Sequence, residues 1–389
     1  MPAAGEPIRE PSRLTDQLND GMPATWISTP SARWHGVIRS NDPQLEIELR
    51  YALADITTDA QPRFRDFDIN IVADHESSRY TLRRSTGPDI SGLSRQGALN
   101  ALIAVINRIA LDLEPERLHL HAAVVSKHGR GVVICAPSGT GKSVLALSLL
   151  LRGWVYLSDE AAALRIDDPL IRTLPKPVAL KASARALLAE DLEKASVVWN
   201  SDDPLFLAAS ALGQIGTSTA PCLVVLLKRS GRQEPAIRDI ERSVCTAALI
   251  EQTMDSQRFG PTALATLADL CRRSRCLELD VGTVSDTCDA LESALESTHP
   301  DAPPVVENMT SLGLGNLPDG VVDVLIDDLF VVHSTSTGAV AALDPAGSEL
   351  WSFVKCGRMG ADRPLEEAER AFLDRLYDLG LSYPIQSES

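Results

Sequence analysis

Leu45-Glu46-Ile47-Glu48-Leu49 sets apolar against acidic residues at every second position, which is the period of a half-buried strand. Phe67 to Val72 is a second apolar run of strand length. Short apolar runs broken by turn residues extend from Trp26 to Leu82 and predict a small β-rich subdomain. The period then changes. Leu99, Leu102, Ile103, Ile106, Ile109, Ala110 and Leu113 recur at helical spacing and predict an amphipathic helix over 96–113. Residues 25–117 therefore read as an N-terminal α+β subdomain, behind a loose, proline-bearing tail over 1–24.

Leu120–Val125 predicts a strand, Lys127-His128-Gly129 a turn, and Gly131–Cys135 a second strand. A small-residue loop, Ala136–Gly141, leads into the nearly all-apolar helix Ser143–Arg152, which Gly153 stops. Val155–Leu157 is a further strand and ends on Ser158-Asp159-Glu160. Strand, loop, helix and strand make a βαβ-like unit. Leu223–Leu227 predicts a continuous apolar strand, Arg242–Cys271 a largely helical stretch, and Asp286–Glu296 a closing helix. Prolines crowd Ser297–Pro304 and mark a linker, taken as 298–318. Beyond it Val321–Ile326, Leu329–His333 and Ala339–Leu343 predict short strands, and Pro345–Val354 and Leu365–Leu379 helices. Residues 118–297 thus read as one domain and 319–384 as a small module.

Composition narrows the function. The 389 residues carry a formal net charge of −16, which argues against a nucleic-acid partner. Only 4% are aromatic, too few for base-stacking platforms. From Asp301 onward 15 acidic residues face 5 basic ones, a net of −10 that favours a basic or neutral partner. The seven cysteines form no C-x-x-C pair, so neither a disulfide framework nor a zinc ribbon is expected. The polar N-terminus is no signal peptide, and no apolar run approaches the length of a membrane span. A soluble, cytoplasmic protein without a membrane partner is expected.

Ala136-Pro137-Ser138-Gly139-Thr140-Gly141-Lys142-Ser143 matches the phosphate-binding P-loop pattern, with Ala for its first Gly. Small residues let the loop wrap a phosphate with backbone N–H groups pointing inward. The helix that starts near Gly141, with Val144 in its first turn, adds its positive dipole end. Lys142 can reach the β- and γ-phosphates, and the Ser143 hydroxyl can ligate Mg²⁺. The loop follows an apolar strand and opens an apolar helix, the setting that the motif requires. A purine nucleoside triphosphate, taken as ATP, and Mg²⁺ are the expected ligands. Asp159 and Glu160 lie 17 and 18 residues after Lys142 at a strand end, where ligands of open α/β sheets gather. A carboxylate there can hold Mg²⁺ or accept a proton.

These residues resemble HPr kinase/phosphorylase and its HPr kinase-related relatives. His121 stands 21 residues before Lys142, Arg152-Gly153-Trp154 follows the loop, and Asp159-Glu160 takes the place of an acidic pair. Leu174–Lys181, LPKPVALK, is similar to a stretch of the related subgroup. The resemblance covers roughly Leu118 to Leu295. It implies a core of the phosphoenolpyruvate-carboxykinase type, with Asp159 as general base and Glu160 joining Ser143 on Mg²⁺. Lys142 and Lys181, or Lys176 in place of the latter, would neutralise charge on the moving phosphoryl group. It also implies an oligomeric assembly. Trp154 stands where the family has His, and Glu160 replaces an Asp, so HPr as substrate and phosphorylase activity are not expected. His119 and His121 share a strand face; His121 reads as a hydrogen-bonded, site-lining residue rather than a metal ligand.

Val321–Ser382 resembles the PqqD-like winged-helix modules that bind leader peptides. The shared residues are the strand pair, Ala341-Ala342-Leu343-Asp344-Pro345-Ala346-Gly347-Ser348-Glu349-Leu350-Trp351, and the closing Leu376–Leu381. Such modules take an extended peptide as an added strand. The expected fold is α/β: a P-loop core, a small N-terminal β-rich part and a C-terminal winged-helix module. Three functions remain open: a peptide kinase with a precursor or leader peptide as partner, a small-metabolite kinase, and a nucleotide-gated peptide-binding chaperone.

Overall fold

The computed structural model describes residues 22–28, 34–59, 65–74, 76–173, 176–194, 204–298, 317–356 and 365–384. Nearly all of the expected N-terminal tail and the expected linker, save their ends at 22–24, 298 and 317–318, lie outside those residues. The chain divides into two compact units.

The first unit begins with a five-stranded sheet in the order β1 (Ala24–Ser28), β2 (His35–Ser40), β3 (Phe67–Asp74), β4 (Arg79–Arg84) and β5 (Ile90–Leu93). Helix α1 (Pro43–Ala52) crosses from β2 to β3, which pair in parallel. This corrects the strand expected at Leu45–Leu49. Five residues of alternation also satisfy the i, i+4 spacing of a helix. Leu45, Leu49 and Ala52 are buried on one side, whereas Ile47 is 50% exposed. Asp42 decides the outcome: its carboxylate accepts from the N–H groups of Gln44 and Leu45, and Pro43 follows at the first helical turn. Helix α2 (Arg95–Asp112) lies where the periodicity placed it, with Leu99, Leu102, Ile103 and Ile106 buried.

The second unit is built on a nine-stranded sheet. The strand expected at Leu120–Val125 is broken at His121 into β6 (Leu118–Leu120) and β7 (Ala122–Lys127). The two halves have different neighbours. β6 pairs with β10 (Ala162–Arg165), and β7 pairs with β8 (Arg130–Cys135) and β9 (Val155–Ser158). The β7–β8 hairpin turns at His128 and Gly129, whose φ values of 53° and 74° suit a tight two-residue loop. Helix α3 (Lys142–Leu151) joins β8 to β9. Both of these strands run antiparallel to β7, so they are parallel to each other. β11 (Asp168–Thr173) completes a hairpin with β10.

Residues 176–186, 192–194 and 204–211 belong to the first unit, as the ribbon of β12 (Val178–Leu180) and β13 (Leu205–Leu207) and most of helix α4 (Ala182–Lys194). The second unit resumes with β14 (Ser218–Lys228), which runs parallel to β8 on one side and to β16 (Arg275–Asp280) on the other. β15 (Ala236–Asp239) pairs with β16. Helices α5 (Arg242–Glu251), α6 (Ser256–Phe259), α7 (Pro261–Arg272) and α8 (Val284–Ser297) follow from the expected helical stretches.

The C-terminal segment is an antiparallel sheet of β17 (Val321–Ile326), β18 (Leu329–Ser334) and β19 (Val340–Ala342), then α9 (Pro345–Lys355) and α10 (Glu367–Asp378). Asp327 and Asp328, with φ of 49° and 67°, make the hairpin turn. The sheet is apolar on both faces. Val321, Val332 and Leu343 pack with Trp351, Leu376 and Leu381 of the helical side. Val322, Val324, Ile326 and Val331 pack with Leu264 and Ala268 of α7.

Candidate functional site

Strand β8 ends at Cys135, and the phosphate loop begins at once. Gly139 and Gly141 have φ of 85° and 117°, conformations that favour glycine, while Ala136 is not among the residues with positive φ. Alanine in place of the motif's first Gly therefore costs no backbone strain. Thr140 closes the loop on itself, its N–H and its hydroxyl both donating to the Pro137 carbonyl, the hydroxyl at 2.9 Å. Gly141 is the N-cap of α3, and no side chain caps the helix. The positive dipole end of the helix faces the loop.

Pro137, Ser138 and Gly139 are exposed. Lys142 is buried, and its ammonium donates to the Ala136 carbonyl at 3.3 Å, so it lies back along the loop. Helix α3 holds this geometry because Leu145, Ala146, Leu147, Leu149 and Leu150 are all buried. Burial pushes the neighbouring Cys135 thiol up to about 12, which makes it inert.

Asp159 and Glu160 follow β9 directly. Since β8 and β9 are parallel, their carboxyl ends, and with them the loop and this acidic pair, lie along one edge of the sheet. The Ser158 hydroxyl accepts from the N–H groups of Glu160 and Ala161 and sets the turn. Asp159 is 4% exposed, whereas Glu160 is partly exposed. The break at His121 places that residue beside Glu160. Its Nδ1 lies 3.1 Å from the Glu160 carbonyl and 3.4 Å from the carboxylate. His121 thus lines the acidic turn. His119 is buried instead and pairs through Nδ1 with Asp255 at 3.0 Å. Ser143 and Glu160 both offer hard oxygen donors, the kind Mg²⁺ takes. Lys176 and Lys181 belong to the first unit; Lys176 is buried and Lys181 exposed.

One residue of the site escaped the sequence reading. Arg229, just past the end of β14, donates from Nε to the Thr140 carbonyl at 3.0 Å. A Cβ on Gly141 would come within 2.9 Å of its Nη2. No motif marks Arg229; only the parallel pairing of β14 with β8 brings it to the loop.

Trp154 is fully buried, and its indole N–H donates to Glu292 of α8 at 2.7 Å. The position after Arg152-Gly153 is therefore a core position here.

No protein-family model matches the chain. The HPr kinase/phosphorylase of Lachnoclostridium phytofermentans is 37% identical over 73 residues, 18% of this chain and 23% of that protein. The HPr kinase/phosphorylase of Clostridium botulinum is 31% identical over 107 residues, 27% of this chain and 35% of that protein. The chain shares partial homology with HPr kinase/phosphorylases. It spans only 23% and 35% of the length of these two curated relatives. Among solved structures, the HPr(Ser) kinase/phosphatase from Coxiella burnetii aligns with 31% of this chain and 76% of its own, at 15% identity and a TM-score of 0.21. Among the described residues no helix is long and apolar enough to cross a membrane.

Proposed function

We propose that the chain is an ATP-dependent, HPr kinase-like phosphotransferase acting on a hydroxyl of a ribosomally made precursor peptide or protein. The observation that supports transfer is the shared sheet edge: a phosphate loop after β8 and a carboxylate pair after β9. Backbone N–H groups from Gly139 to Val144 hold the polyphosphate. Lys142 turns from the Ala136 carbonyl to the β- and γ-phosphates. Ser143 and Glu160 would hold Mg²⁺, which would supply neutralising charge there. Asp159 takes the proton of the acceptor hydroxyl as its oxygen forms a bond to the γ-phosphorus and the bond to ADP breaks. Lys181 is assigned to the developing charge on the resemblance alone.

The acceptor is assigned from the C-terminal segment. The segment resembles the PqqD-like modules in sequence, although it has one helix after the Trp-bearing one where they usually have two, and β17 and β19 are the outer strands of its sheet among the described residues. An extended leader peptide can add to such an edge, leaving its hydroxyl-bearing part to the loop. The acidic balance of the segment suits a basic or neutral leader. We place this activity in the cytoplasm, as a homo-oligomer without nucleic acid.

The test is mass spectrometry of candidate precursor peptides after incubation with the protein, Mg²⁺ and ATP, beside Asp159→Asn. A phosphate-sized gain that the variant loses is expected. ATP binding with no gain on any peptide would remove the peptide acceptor and leave a small-metabolite kinase or a nucleotide-gated chaperone.

A further inference from the structure

Three of the seven cysteines meet in the core of the second unit. Cys245 comes from α5, Cys271 from the last turn of α7, and Cys276 from the start of β16. Their sulfur atoms all lie within 4.8 Å of one another, and the three residues are 0%, 0% and 4% exposed. Sequence spacing did not reveal this, because α5 stands far from the other two along the chain. Only 271 and 276 are near neighbours, and five residues apart is not a zinc-ribbon spacing.

We infer that Cys245, Cys271 and Cys276 form a binding site for a thiophilic monovalent cation, of which cuprous copper is the biological representative. The donor set is the first argument. It is sulfur alone: among the described residues no histidine or carboxylate joins the group. Thiolates select soft ions over Mg²⁺, Ca²⁺ or Mn²⁺. Geometry is the second. Metal–sulfur bonds of about 2.3 Å place three coordinated sulfurs roughly 3.8–4.0 Å apart. Sulfurs already within 4.8 Å need only small side-chain rotations to reach that spacing. Three sulfur donors buried from solvent suit a trigonal monovalent ion better than tetrahedral Zn²⁺.

On loading, the thiol protons leave to solvent and no electron is transferred.

A filled site would tie α5 and α7 to β16. Those helices carry Ala247, Leu264 and Ala268, on which the C-terminal sheet rests through Val322, Val324 and Ile326. The cation would thus stiffen the floor beneath the proposed peptide module, without touching the phosphate loop.

The experiment uses the full chain, reduced, in two arms: cuprous ion added anaerobically, and protein purified from copper-supplemented cells. Expected are one copper per chain retained against a bicinchoninate competitor, a thiolate-to-copper absorption band in the near ultraviolet, and a higher melting temperature. Cys271→Ser and Cys276→Ala should each lose the bound copper, and Cys356→Ser, at an exposed site, should keep it. No retained copper in either arm, or copper that survives both core substitutions, overturns the assignment. So does a disulfide found between any two of the three residues in freshly isolated protein.

Discussion

The indole N–H of Trp154 donates to the Glu292 carboxylate at 2.7 Å, and the Lys127 ammonium reaches the same carboxylate at 3.3 Å while lying 5.6 Å above the indole ring. The three side chains join β7, the turn between α3 and β9, and α8. Position 154, a histidine in the family this segment resembles, therefore serves packing in this chain. Trp154→His should cost about 2–4 kcal/mol through lost volume and a lost hydrogen bond. Urea unfolding measures that loss. At a temperature where both proteins are folded, ATP affinity should agree within about twofold. A folded Trp154→His variant that gained phosphorylase activity would show the position to be catalytic after all.

Arg229 braces the phosphate loop from the neighbouring strand, through the Thr140 carbonyl. Its removal frees that carbonyl and takes a positive charge from the loop. Arg229→Ala should weaken ATP binding about 5- to 30-fold, equivalent to about 1–2 kcal/mol. Arg229→Lys should restore only part of the loss, because a lysine lacks the planar fork. Calorimetric titration with ATP and Mg²⁺ decides, and unchanged affinity in Arg229→Ala would remove Arg229 from the site.

The phosphate loop was legible because it is a local device: small residues, one lysine and a following apolar helix are contiguous in sequence. The same holds for α2, whose apolar face repeats over five turns, and for the hairpin strands of the C-terminal sheet. Leu45–Leu49 misled because so short a run fits either period, and the capping Asp42 lies outside it. Leu120–Val125 misled for a different reason. Both halves are strands, but nothing in an apolar run announces that its halves pair with different neighbours. Arg229, the Trp154–Glu292 bond and the three-thiol cluster all depend on which strands and helices become neighbours, and a single sequence does not state that.

Gly141 combines a φ of 117° with a side chain, Arg229, within 2.9 Å of any added Cβ. Gly141→Ala therefore meets backbone strain and displaces the arginine at once. Residues forced into such a region cost about 1–3 kcal/mol. The loop is exposed at Pro137 to Gly139, so it can distort without unfolding α3. The expected result is a variant that melts within a few degrees of the parent but binds ATP at least ~100-fold more weakly, the product of strain and a lost brace. A fluorescent ATP analogue, read beside circular dichroism, separates the two effects. Near-normal binding would mean that the N–H cradle does not need this conformation.

Arg117 is 2% exposed and pairs with Asp168 at 2.9 Å and Glu114 at 3.5 Å. Burial pushes the Asp168 carboxyl up, but bonds from the Leu170 N–H, Arg117 and Arg172 outweigh it and bring it down to about 2. A carboxylate depressed on folding contributes stability that is present above its unfolded pKa, near 3.8, and is lost as pH falls toward about 2. Asp168→Asn leaves Arg117 buried with a weaker partner set, and should cost about 2–3 kcal/mol at pH 7. The stability gap between parent and variant should then narrow as pH falls from about 4 toward 2. Urea unfolding at several pH values tests this; a gap of constant size down to the acid limit would show that Asp168 carries no such charge-dependent stability.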